Sequence, residues 1–214
     1  MSSSSPTPTR LPLRLLGAAA AFALTTGVCI AWLDAPVARA LAPWQPWPLW
    51  SELLWLLELA GGLTVSRWTY ALALPAAALV AYAVPRFRPR APAFLLLALV
   101  HVAAKFSTVE IKEGTGRLRP AEWLERGGPM FFVDEGISFP SGHVTHFLSL
   151  TLPLLVVAPR LGRALLLVPL LAAMCRVAVN AHFLSDVFGA VVWVSVLTFV
   201  MSWALRSWLE RVHA

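Results

Sequence analysis

Charge is scarce in this chain. Of its 214 residues, 13% are Asp, Glu, Lys or Arg, while 58% are hydrophobic and the mean hydropathy is +0.72. A water-soluble domain of this length carries roughly 25% charged residues, so the shortage excludes an ordinary solvated surface and makes lipid the main solvent. Cysteine is scarcer still. Cys29 and Cys175 both lie in apolar stretches, too few and too far apart in the sequence to build a disulfide scaffold or a thiolate metal site. The net charge of +6 does not imply nucleic acid as a partner. The cations stand in short clusters between apolar runs, which is a signature of membrane topology.

What the chain has is a series of apolar segments. Six have the character of spanning helices, at about residues 15–33, 68–84, 93–111, 143–158, 161–179 and 183–205. The expected fold is therefore all-α, a polytopic membrane bundle of six transmembrane helices. Each needs about 20 residues to cross the hydrocarbon, and the shorter ones must extend into the interface. Pro75, Pro153 and Pro169 fall inside them as tolerated kinks. The first segment exceeds the roughly 7–15 apolar residues of a signal peptide and reads as a membrane anchor. Residues 44–63 carry Trp44, Trp47, Trp50 and Trp55 together with Glu52 and Glu58. Acids are costly in mid-bilayer and tryptophan favours the interface, so this stretch is expected to lie on the outer surface as an additional interfacial helix. Residues 1–12, rich in Ser, Pro and Thr, are expected to be a disordered cytoplasmic tail. Residues 13–206 form a single membrane-embedded domain and 207–214 a second cytoplasmic tail.

The charges orient this plan. With six crossings and a cytoplasmic amino terminus, the inner side receives Arg10, Arg14, Arg86, Arg88, Arg90, Arg160, Arg163, Arg206 and Arg211 against one acid, Glu210. On the outer side Arg39, Arg67, Lys112, Arg117, Arg119, Arg126 and Arg176 are outnumbered by acids. That is the positive-inside pattern. Both termini are thus expected in the cytoplasm.

Three polar patches interrupt the apolar chain: Lys112 to Pro120, Phe139 to His143, and Cys175 to Asp186. The topology puts all three on the outer side, and the first two are joined by a long Gly-rich connection, Lys112 to Gly142, of a kind uncommon unless functional. Lys112, Arg119 and Arg176 are three cations suited to a tetrahedral dianion, and arginine's planar fork matches phosphate oxygens. Ser141 and Gly142 open a helix, where backbone N–H groups favour an anion. His182 and Asp186 are four apart and would share a helical face, the carboxylate orienting one ring nitrogen and leaving the other to attack. His143, from another helix, can supply a proton to a leaving oxygen. Thr145, His146 and Asn180 read as packing or turn residues. His101 and Lys105, with Glu110, read as an internal polar network or the lining of a substrate path. Two His and an Asp could instead suggest a metal, aided by Asp134 and Glu135, but the neighbouring cations would repel one.

These patches resemble the three-part signature of the type 2 phosphatidic acid phosphatase family. Lys112 and Arg119-Pro120 match the first part, Pro140-Ser141-Gly142-His143 the second, and Arg176, His182 and Asp186 the third, with Cys175 where the family has Ser. The resemblance implies a lipid phosphatase of the bacterial inner membrane, its site facing the periplasm or exterior. It implies metal-independent hydrolysis of a lipid phosphate monoester or diphosphate, such as undecaprenyl diphosphate, with the bilayer and a phosphorylated membrane lipid as partners and no cofactor. His182 would be the nucleophile forming a phosphohistidine, Asp186 its orienting group and His143 the proton donor. Lys112, Arg119, Arg176, Ser141 and Gly142 would bind phosphate. Alternatives are a lipid phosphotransferase using the same intermediate and a transporter that binds phospholipid without chemistry.

Overall fold

The computed structural model describes residues 10–44, 48–66 and 68–213. They are all-helical: about 80% of the described residues are in helices, with no strand among them. Helix α1 (Arg10–Val28) passes through a π-helical turn (Cys29–Leu33) into α2 (Asp34–Leu41). Its start at Arg10 falls inside the tail expected over residues 1–12, of which 1–9 lie outside the described residues. Pro12 stands in the first turn, where no intrahelical N–H is required of it. Helix α3 (Pro48–Ala60) and α4 (Thr69–Ala83) precede the long α5 (Ala91–Thr115). A short α6 (Pro120–Arg126) sits in the connection to α7 (Gly142–Val157). Then follow α8 (Pro159–Leu165), α9 (Leu167–Ala178), α10 (Leu184–Ala204) and α11 (Arg206–His213). The last is a helix where a tail was expected, and its Leu209 is buried in the core.

Among the described residues, four helical stretches are long and apolar enough to cross a membrane: Leu13–Trp44, Arg88–Thr115, Pro159–Ala178 and Leu184–Ala204. The chain is a multi-pass membrane protein. The other two expected spans correspond to α4 and α7, apolar but only 15 and 16 residues long. The surface has the polarity of a lipid-facing one, with Leu24, Leu72, Leu79, Leu167 and Leu170 exposed. Inside, α5, α7 and α10 meet along stripes at helical spacing: Leu96, Val100 and Ala104, then Val144, Leu148 and Leu152, then Val187, Ala190 and Val194. Because lipid is as apolar as these side chains, close van der Waals contact holds them together. Gly189 lets α10 press against the Phe139 ring, which a Cβ there would overlap. Helix α1 packs along α10, with Phe22 stacked on Phe188 at 5.7 Å. Helix α3, expected to lie on the outer surface, packs against α9; residues 45–47 of that stretch lie outside the described residues.

The connection after α5 is tightly folded. Gly116, at φ +50, ends the helix in the left-handed region. The chain then pairs with its own return: Val133 N–H donates to Gly116 O at 2.8 Å, Leu118 N–H to Met130 O at 2.9 Å and Ser138 N–H to Arg117 O at 2.8 Å. Gly136 lies so close to this pairing that a Cβ on it would stand 2.3 Å from Gly116 C and 2.6 Å from Arg117 C. Backbone cannot rotate away as a side chain can. Gly136→Ala is expected to destabilise the protein by about 1–3 kcal/mol, seen as a lowered thermal midpoint in detergent micelles.

Candidate active site

The site is assembled from helix ends. Lys112 lies in the last turn of α5, Arg119 is the N-cap of α6, Ser141 is the N-cap of α7, and Gly142 and His143 are that helix's first residues. Arg176 is in the last turn of α9, and Asp186 in the first turn of α10. His182 does not share a helix face with Asp186, contrary to what the spacing predicts. It lies in the turn before α10, where Asn180 at φ +52 bends the chain and donates through Nδ2 to Ala38 O at 3.0 Å. Asp186 reaches back over the helix start to accept the N–H of the N-cap, Phe183, at 2.9 Å, a half capping box. The same oxygen, Oδ2, accepts from His182 Nδ1 at 3.3 Å and from Ser138 Oγ at 2.6 Å.

Behind this pair is a buried ion triad that the sequence does not announce. Arg117 donates to Asp186 Oδ1 and to Asp34 Oδ2, each at 2.5 Å, and all three side chains are fully buried. Its guanidinium lies over the rings of Phe131 and Phe183, at 4.4 and 4.3 Å. Asp34 also accepts from Ser185 Oγ at 2.5 Å and from Ser185 N–H at 3.1 Å. Both carboxylates are thereby paired and hydrogen-bonded, the condition under which buried charges are tolerated; Arg117 Nε is buried and has no hydrogen-bond partner among the described residues. The one sequence signal for Asp34 is its position as a lone acid in a long apolar run.

His182 is 3% exposed. Burial pushes its imidazole down to about 4, and the charges of Arg176 and Lys112 push the same way; Asp186 opposes them. The ring is therefore neutral at pH 7. With Nδ1 turned to Asp186, Nε2 carries the free lone pair.

Lys112, Arg119 and Arg176 lie within electrostatic reach of one another, and Lys112 also of Asp186. Lys112 Nζ donates to the carbonyls of Ile137 and, at 3.4 Å, Ser138. Arg119 Nε, Arg176 Nε, Ser141 Oγ and Thr145 Oγ1 are buried and have no hydrogen-bond partner among the described residues. The Ser141 N–H donates to the main-chain oxygen of Asp186 at 3.0 Å, tying the start of α7 to that of α10. A Cβ on Gly142 would come within 3.8 Å of Lys112 Cε. His143 Nε2 bonds Glu58 Oε1 at 2.7 Å. Thus all eight residues that the sequence selects gather at one end of the bundle. Arg117, Asp34, Ser138 and Glu58 join them unpredicted.

Beside the site is a cavity of about 500 Å³, lined by Lys112, Gly142 and His143 and, deeper, by Lys105, His101 and His146. His101 Nδ1 bonds Ser149 Oγ at 2.8 Å and His146 Nε2–H donates to Gly61 O at 3.1 Å. His101 and His146 are thus held by internal hydrogen bonds, and with Lys105 they line the cavity. Among the described residues, no group of three or more His, Cys, Asp or Glu could hold a metal. Glu135, considered above as a ligand, pairs with Arg126 at 3.0 Å on the exposed loop.

Residues 92–211 match the family model of the PAP2 superfamily. The chain belongs to that superfamily. No curated protein and no solved structure matches it. PAP2 members are phosphatases, which assigns this protein phosphatase-type activity on phosphorylated substrates. All three polar patches fall within the PAP2 match, whereas Asp34 and Glu58 precede it.

Proposed function

We propose that this protein hydrolyses the phosphate monoester or diphosphate of a membrane lipid, without a metal, at the outer face of the bacterial inner membrane. The single observation that carries the mechanism is a buried His182 braced on Asp186 beside three clustered cations. Lys112, Arg119 and Arg176, with Ser141 and the Gly142 amide, hold the phosphoryl oxygens. The unpartnered Arg119 Nε, Arg176 Nε and Ser141 Oγ gain acceptors when a dianion binds. His182 Nε2 attacks phosphorus. The P–O bond to the lipid breaks, its electron pair leaves on oxygen, and that oxygen takes a proton from His143. Water then attacks the phosphohistidine, returning a proton to His143 and releasing inorganic phosphate and neutral His182. Positioning and preorganised charge supply the rate.

A lipid suits this site because its phosphate can sit at the interface while its tail stays in the bilayer. Six crossings, α4 and α7 among them, with cytoplasmic termini give the orientation favoured by the positive-inside rule. Helix α3 then lies near the outer interface.

Two measurements test this. A panel of lipid phosphates, given to the detergent-solubilised protein in EDTA, is expected to release phosphate, with labelled phosphate trapped on His182 after alkaline quench. Loss of activity in EDTA that added metal restores would overturn the metal-free route. Because burial holds His182 down to about 4, it stays deprotonated as pH falls through the ordinary imidazole range of about 6.5. The rising limb of kcat/KM, which reports the free enzyme, is accordingly expected near pH 4 once the substrate's own phosphate ionisation is divided out, and a remaining limb centred near 6.5 would contradict the assigned nucleophile.

A further inference from the structure

Glu58 stands in the last turn of α3, ahead of the matched segment, and its Oε1 meets His143 Nε2 at 2.7 Å. The two side chains are 26% and 28% exposed. At that exposure an ion pair adds little to stability, yet an acid kept beside the bilayer is costly. His143 faces Glu58 from α3, Arg176 from α9 and Lys112 from α5, with His146 one turn along its own helix. Among these four groups Glu58 alone is acidic. Burial first, and then two fixed cations, disfavour a positive charge on the ring, and the bonded carboxylate offsets them in part. His143 also lines the cavity with Leu63, Trp68, Phe106 and Val109, so a substrate's leaving side can lie against it.

Resting on the phosphatase reading above, we propose that Glu58 is a positioning residue for the proton donor: its carboxylate accepts His143 Nε2–H and leaves Nδ1 as the nitrogen that protonates the departing oxygen. When the P–O bond breaks, the leaving oxygen takes the Nδ1 proton together with the bond's electron pair. His143 becomes neutral and keeps its Nε2–H on Glu58, so Nδ1 is placed to receive a proton from the attacking water.

The test compares Glu58→Gln and Glu58→Asp in the full chain, in detergent, on two probes. One is decyl phosphate, whose alcohol needs protonation to leave; the other is 4-nitrophenyl phosphate, whose phenolate leaves unaided. Glu58→Gln is expected to lower kcat on decyl phosphate about 10–100-fold. The loss on decyl phosphate should exceed that on the aryl ester by about tenfold, and the falling limb of the pH profile should move to lower pH. In a His143→Ala background the same change should cost nothing further. Glu58→Asp, which keeps the charge, should recover part of the loss. Equal losses on the two esters, an unmoved pH limb, or a full additional loss in the His143→Ala background would overturn the role. Should Glu58→Gln fail to fold, Glu58→Asp decides, since its shorter carboxylate should lower the alkyl-to-aryl rate ratio by about threefold; an unchanged ratio overturns the role. An active His182→Ala protein would instead sink the phosphohistidine mechanism on which this role rests, whereas an inactive one with equal ester losses removes only Glu58.

Discussion

His182→Asn is expected to abolish phosphate release, lowering kcat by on the order of 10⁴–10⁶. Asparagine can still donate to Asp186 and fill most of the volume, so the fold around Phe183 and Ser138 should stand. What it lacks is the free lone pair of a neutral imidazole. The cationic cluster of Lys112, Arg119 and Arg176 is untouched, so KM should move by no more than about threefold. Labelled phosphate should no longer appear on the protein after alkaline quench. A purified His182→Asn protein that releases phosphate at about a tenth of the parent rate or faster, a smaller loss than even an assisting acid or base would cause, would end the phosphohistidine route and return a metal-assisted mechanism to consideration.

Arg117→Met is expected to be the most destabilising single change in the chain. It removes the cation between Asp34 and Asp186, which are both fully buried and both bonded to it at 2.5 Å. Two carboxylates would then face each other without compensation, and breaking such a buried network costs about 3–5 kcal/mol. The damage should extend to chemistry, because Asp186 is the group on which His182 leans. Thermal unfolding in detergent, followed by tryptophan fluorescence, measures the first effect and phosphate release the second. Asp34→Asn in the Arg117→Met background should restore part of the stability, since it removes one stranded charge. Arg117→Met with an unchanged midpoint would show that the triad does not hold the site.

Much of this was legible in the sequence. The apolar runs locate α1, α5, α9 and α10 because lipid demands long uninterrupted hydrophobic segments, and the eight selected residues stood out because polar groups are expensive beside a bilayer. The groups that brace them were harder to find. Arg117 sits amid other polar residues in a Gly-rich loop, and nothing in its neighbours distinguishes an anchor from a loop cation. Asp34 lies 83 residues from it in sequence, and Glu58 lies 85 from His143; pairing at that range is a property of how α1, α3, α7 and α10 pack. Glu58 read as an interfacial acid because composition alone cannot tell which way a helix turns. The spacing of His182 and Asp186 suggested one continuous helix, whereas the Asn180 turn and the reach-back of Asp186 produce their contact.

The long first helix has a consequence for assembly. As the chain enters the membrane, Asp34 arrives well before its cation is synthesised. Until the loop bearing Arg117 folds and α10 docks along α1, that carboxylate is an unpaired acid at the end of an otherwise greasy segment. Closing the bundle is therefore also the event that neutralises it, so a protein stalled between its first and last long helices carries a built-in mark of incompleteness.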